Sequence, residues 1–143
     1  MRKISKKRYP KHLYHLSFVN HDEDVFEPRV PGVDSRNCKE DDETKRICMS
    51  SVISGCIRAK NDNIENGNIL FVHEPDSSLV DINDLHLVKP NKYEVFDVIE
   101  TKEIWVTDKI PMRCVGQIMV DDNGWNDDYV CKPIKWHWIK KFN

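Results

Sequence analysis

Several short stretches of this chain read as strands, most of them by alternating apolar positions, and only one stretch carries apolar residues at helical spacing. That stretch is RICMSSVISGCIRAK, residues 46–60. Ile47 and Met49 alternate with Cys48, the period of a strand. Ser50 and Ser51 then offer caps, and Val52, Ile53, Cys56 and Ile57 form one apolar helical face. The spacing predicts a helix from Ser50 or Ser51 to about Lys60. Upstream, HLYHLSF (12–18) sets Tyr14, Leu16 and Phe18 against Leu13, His15 and Ser17, a half-buried strand. Downstream, ILFVH (69–73), EVFDVI (94–99), EIWVT (103–107) and RCVGQIMV (113–120) follow as strands. The last segment (129–142) alternates Ile134, Trp136 and Trp138 against Lys135 and His137. About seven strands with one clear helix predict an α+β class with mostly antiparallel sheet.

Two stretches break the pattern. Residues 1–12 are basic and carry little apolar surface, which predicts a flexible arm ahead of a single α+β domain over 13–143. Residues 20–45 are rich in charge and turn formers, with Pro28, Pro31 and Gly32 as punctuation. Long loops in small domains are usually functional or disordered. Arg29 sits inside EPRVP, where flanking prolines stiffen the backbone and present a guanidinium to an anion.

Composition narrows the class. At 143 residues the chain supports one domain with a genuine core. No apolar run reaches the length of a membrane span, and the basic start lacks the apolar segment of a secretory signal, so the expected location is cytoplasmic with no membrane partner. The five cysteines, odd in number and without a CxxC, predict reduced thiols and no metal site. The formal charge of −2 hides basic ends and the acidic block Glu40 to Glu43. That acidic middle argues against nucleic acid, which needs one continuous basic face.

Candidate chemistry rests on three places. A strand-to-helix turn at Ser50 and Ser51 points hydroxyls and N–H groups at an anion. His15 sits in mid-strand on the less apolar face, where a cleft can use it. Glu103 opens an apolar strand, where its carboxylate can stabilise a developing cation or orient a hydroxyl.

The early LYH strand, the RICMSS strand turning into a helix, and the later KEIWV strand together resemble the ADP-ribosyltransferase-like fold, over roughly residues 13–120, and small phage- or prophage-encoded proteins of that layout. The resemblance implies two antiparallel sheets forming a split core around one principal helix, with NAD bound between them as substrate. It implies Glu103 as the catalytic carboxylate and His15, Ser50, Ser51 and Arg29 as the residues that hold the dinucleotide. Two departures stand out. Serine occupies the middle position where relatives with a first-strand histidine usually have tyrosine, and Thr101 replaces the second glutamate of arginine-modifying members. The resemblance therefore leaves two functions open. One is an enzyme cleaving the nicotinamide–ribose bond and passing ADP-ribose to an unknown acceptor. The other is an inactive nucleotide-binding protein on the same scaffold, such as a phage inhibitor acting on a host protein target in anti-defence.

Overall fold

The computed structural model describes residues 2–30, 44–60, 63–91, 101–124 and 132–142. Within them the chain forms nine strands and one α-helix, and every strand pair is antiparallel. The first sheet holds β1 (Arg2–Lys3), β6 (Leu87–Lys89), β7 (Glu103–Val106) and β4 (Ile47–Ser50), in that spatial order. The second runs β2 (His15–Ser17), β5 (Ile69–Pro75), β8 (Ile110–Asp122), with β3 (Val25–Phe26) and β9 (Lys135–Lys141) both pairing with β8. The class is mixed α+β, with two mainly antiparallel sheets and one helix. The strand expected at 94–99 lies outside the described residues.

Strand alternation sends every second side chain inward, and two cores form, one mainly under each sheet, with the start of β8 reaching into the first. Ile47, Met49, Ile104 and Val106 pack with Leu13, Leu87 and Met112 under the first sheet. Leu70, Val72, Ile118 and Val120 pack with Leu16 and the helix residues Ile53, Cys56 and Ile57 on the second. Leu13 and Leu16, three residues apart, therefore belong to different cores. The chain between them crosses the seam, where Tyr14 and Ser50 exchange backbone hydrogen bonds of 2.7 and 3.1 Å.

The helix departs from its predicted start. α1 spans Ile53–Ala59, its N-cap is Val52, and no side chain caps it. Ser50 is instead the last residue of β4 and is buried, its hydroxyl donating to the Thr101 carbonyl at 2.7 Å. Tertiary packing has taken the side chain that capping would have used.

The amino-terminal arm is also different from expectation. Its basic residues mask two anchors, since Ile4 and Tyr9 pack against the first core. β1 pairs with β6, the Ile4 N–H donates to the Leu87 carbonyl at 3.0 Å, and the Tyr9 hydroxyl donates to the Leu85 carbonyl at 2.7 Å. Half-burying two large apolar side chains and making these bonds stabilises the domain by on the order of 2 kcal/mol. Deleting residues 1–12 should accordingly lower the urea midpoint. An unchanged midpoint would show that the anchors contribute nothing.

Candidate functional site

Strand β4 lies at the edge of the first sheet, and two single-residue bridges close that edge at its ends. Arg46 pairs with Arg29 at one end and Ser50 with Tyr14 at the other. Between these bridges the chain of residues 15–28 bows away from β4, and the gap is a cavity of about 750 Å³. That volume is within the range of small-molecule sites. Its walls come from β2, the His21–Glu27 turn, β4, α1 and the start of β7.

Of the residues expected at a site, His15, Arg29, Ser50 and Glu103 all line this cavity. They come from four stretches widely separated in the chain. Ser51 does not join them; it lines a second, more open groove with His12, Glu74, Trp136 and Trp138. The sequence reading placed both serines in one turn, but the strand continues through Ser50 and its alternation sends Ser51 to the opposite side.

Lys102, Ser50 and Trp105 all help to place Glu103. Lys102 adopts a left-handed backbone (φ 51°), which turns the chain into β7 immediately before it. Across the sheet, Glu103 stands opposite Ser50. One carboxylate oxygen accepts the Trp105 indole N–H at 3.0 Å. Trp105 is fully buried, and the Arg46 guanidinium stacks over its ring at 4.1 Å from the centroid. Carboxylate, indole and guanidinium thus form a row whose two ends, Glu103 and Arg46, line the cavity. Arg46 is itself buried, and it donates to the Thr44 carbonyl at 3.1 Å. Thr101 lines the same cavity, and its hydroxyl is buried with no hydrogen-bond partner among the described residues.

His15 and His21 also line the cavity, and the His73 ring packs against both. The His15 ring meets Phe26 edge to face at 5.0 Å and His73 at 6.1 Å. His73 is fully buried, and its Nε2 accepts the His21 backbone N–H at 2.8 Å. Its Nδ1 therefore carries the proton and donates to the His15 carbonyl at 3.3 Å. That assignment fixes a neutral ring. Burial, then the charges of Lys60, His73 and His21, depress His15 to about 3, against the pull of a hydrogen bond to the Cys48 backbone. Burial likewise lowers His73. At neutral pH the His15 and His73 rings are therefore uncharged. Lys60, at the end of α1, adds an ammonium whose pKa is lowered by burial. Cys56 is no nucleophile here, because burial pushes its thiol up to about 12 and the thiol donates to the Tyr14 carbonyl at 3.3 Å.

The depressed histidines make stability pH-dependent in a definite direction. Above the unfolded value near 6.5 the ring is neutral in both states, so folding releases no proton. Below it the unfolded chain takes up a proton that folded His15 refuses down to about 3. Stability should fall through that window, by about 2 kcal/mol from His15 alone at pH 5. Urea unfolding at pH 7 and pH 5 checks it, and His15→Gln should flatten the difference. Equal stability at both pH values would contradict a neutral buried ring.

Arg46, Trp105, Lys60 and His73 were absent from the sequence reading of the site, and Thr101 entered it only as the residue replacing a second glutamate. For Trp105 a signal existed: in a strand, residue i+2 from Glu103 shares its face. The same reasoning from Ser50 back through Cys48 reaches Arg46. Nothing local marks Lys60 or His73, which reach this region only through the packing of α1 and β5.

Among the described residues, no cluster of histidine, cysteine, aspartate and glutamate is arranged to hold a metal ion. No described helix is long and apolar enough to cross a membrane. Cys48, Cys56 and Cys114 are free thiols, whereas Cys38 and Cys131 lie outside the described residues. Comparison with protein-family models, curated proteins and solved structures found no match.

Proposed function

We propose that the cavity binds NAD and that the protein cleaves its nicotinamide–ribose bond, passing ADP-ribose to an acceptor, in the manner of ADP-ribosyltransferase-like proteins. The observation that carries this reading is the meeting of His15, Arg29, Ser50 and Glu103 around one cavity at the seam of two antiparallel sheets. Breaking that bond returns its electron pair to the ring nitrogen of nicotinamide and leaves positive charge on the ribose. A carboxylate fixed in place before the reaction stabilises such charge without reorganising. Glu103, held by the Trp105 N–H, is so fixed. Neutral His15 suits a ribose hydroxyl, because its ring can accept or donate without bringing a cation to a site of developing positive charge. Ser50 has a positioning role, since its hydroxyl is already engaged by the Thr101 carbonyl.

The same engagement favours a second reading, a nucleotide-binding protein without turnover. A hydroxyl committed to the backbone contributes little to chemistry, and the family's usual tyrosine is absent at this position. Two measurements on the wild-type protein separate the readings: NAD affinity by calorimetry, and nicotinamide release by chromatography. Binding with steady release supports the transferase. Binding without release, in the presence of cell extract as a source of acceptor, supports the binding protein, and neither binding nor release overturns both.

A further inference from the structure

His73 does not line the cavity itself, yet both of its ring nitrogens hold residues that do. Strand β5 buries Val72 and His73 in succession, at the step where its pairing with β8 shifts register. The ring is fully buried and packs against the rings of His15 and His21. Nε2 accepts the His21 backbone N–H at 2.8 Å, and Nδ1 donates to the His15 carbonyl at 3.3 Å. One imidazole thereby ties together the backbones of two wall residues. Beyond His21 the turn is fastened independently. Asp22 accepts the Cys114 N–H at 2.9 Å, Glu23 donates to the Met112 carbonyl at 3.0 Å, and the Asp24 carbonyl accepts the Met112 N–H at 2.8 Å. Before His21, Phe18 and Val19 are exposed. The side-chain hydrogen bonds there stay local, Val19 N–H to the Ser17 hydroxyl and Asp22 N–H to the Asn20 side chain. His73 is thus the contact that draws the 18–21 segment onto the second sheet.

We infer that His73 is a positioning residue for the cavity: neutral, it holds His15 and His21 in the wall, and on taking a proton it releases the His21 segment. The ligand this weakens is NAD, which rests on the reading above, whereas the latch itself rests on the hydrogen bonds. A protonated imidazole carries N–H on both nitrogens and accepts nothing. Nε2 would then face the His21 N–H donor to donor at 2.8 Å, so the two must part. Nδ1 keeps its bond to the His15 carbonyl, which confines the change to one side of the ring. The His21 ring, which meets Phe26 edge to face at 5.3 Å in the same wall, leaves with its backbone. The titratable groups around His73 are His15 on β2, His21, Asp22 and Asp24 on the turn, and Cys114 opposite it on β8. The two carboxylates supply a second arrangement, in which one of them meets the charged ring in place of the N–H. Burial, the largest influence, sets the protonation of His73 below the ordinary histidine value, against the pull of the His15 backbone bond and of the Asp22 and Asp24 charges. The segment is therefore latched at neutral pH and released in acid, while His15 stays neutral down to about 3.

The test follows nitrogen-15-labelled wild-type protein by NMR from pH 7 downward. At pH 7 a scalar coupling should connect the His21 amide nitrogen to His73 Nε2 through the hydrogen bond, with the ring proton on Nδ1. As His73 titrates, that coupling should vanish and the amide signals of residues 18–21 should move with the same midpoint. Ile118 and Val120, in the second core, should keep their native signals throughout. A ring proton on Nε2 at pH 7 overturns the inference. So does a protonated His73 with the coupling and these amides unchanged, and so does release of 18–21 only when the core itself unfolds. NAD affinity, measured by calorimetry, reads the effect on the cavity. If only the latched form binds, affinity falls about tenfold one pH unit below the His73 midpoint. His73→Phe has neither nitrogen, so its affinity should already be reduced at pH 7 and that midpoint should be missing from its pH profile. Full affinity in His73→Phe, or a wild-type affinity that ignores the midpoint, removes the positioning role. If NAD binds at no pH, the NAD reading fails, and the coupling and amide signals still decide the latch.

Discussion

Glu103→Gln should lower nicotinamide release by a hundredfold or more while changing NAD affinity by no more than about threefold. Glutamine matches glutamate in shape, and its amide oxygen can still accept the Trp105 indole N–H that now reaches the carboxylate at 3.0 Å. Only the charge is removed. In the ground state the nicotinamide ring already carries positive charge, so some binding is lost with it. In the transition state that charge moves onto the ribose and nearer the carboxylate, and the loss there is larger. The two losses separate in kcat and KM. A variant that releases nicotinamide at the wild-type rate removes Glu103 from the chemistry. Equal losses in affinity and in kcat/KM, with kcat unchanged, would give it a binding role alone.

Gly55→Ala should destabilise the protein by about 3 kcal/mol or more, enough to threaten folding. Helix propensity alone predicts the opposite sign, because alanine in a helix interior is favoured over glycine by about 1 kcal/mol. Contact decides it. A Cβ at Gly55 would lie 2.1 Å from the Thr101 carbonyl oxygen and 2.4 Å from the Ser50 hydroxyl. Neither is the end of a flexible side chain able to swing aside, since the hydroxyl is tied to that same carbonyl. The helix would have to lift from the sheet or Thr101 would have to retreat, and Thr101 is two residues from Glu103. Thermal and urea unfolding measure the cost. At low temperature, where the variant still folds, its NAD affinity should also fall, because the displaced groups line the cavity. A variant as stable as the wild type would mean that α1 does not approach β4 this closely.

The same glycine shows what the sequence could convey. The strand-to-helix turn was legible because alternating Ile47 and Met49 give way to Ile53, Cys56 and Ile57, a change of period that tracks burial directly. That pattern also put His15 on the less apolar face of β2 and Glu103 at the head of β7. The capping serines were misread because local preference and tertiary demand compete for one hydroxyl, and only the fold reveals that Thr101 reaches Ser50. The arm was misread because six basic residues outnumber Ile4 and Tyr9, although two anchors are enough to dock it. The buried Arg46 was passed over because arginine is rarely buried, and the ring that shelters it lies 59 positions away in sequence, as the numbers of Arg46 and Trp105 give directly. Lys60 and His73 acquire their surroundings wholly from long-range packing, to which periodicity is blind.

Strand β9 carries one more consequence. Among the described residues it pairs on one side only, with β8. Trp136 and Trp138 turn toward the second core, while Lys135, Lys140 and Lys141 remain exposed along that edge. A second molecule approaching edge to edge would bring like charges together and would have to bury lysines to complete the ladder. Lys135, Lys140 and Lys141 would therefore disfavour self-assembly through β9, as charged side chains on a strand edge do.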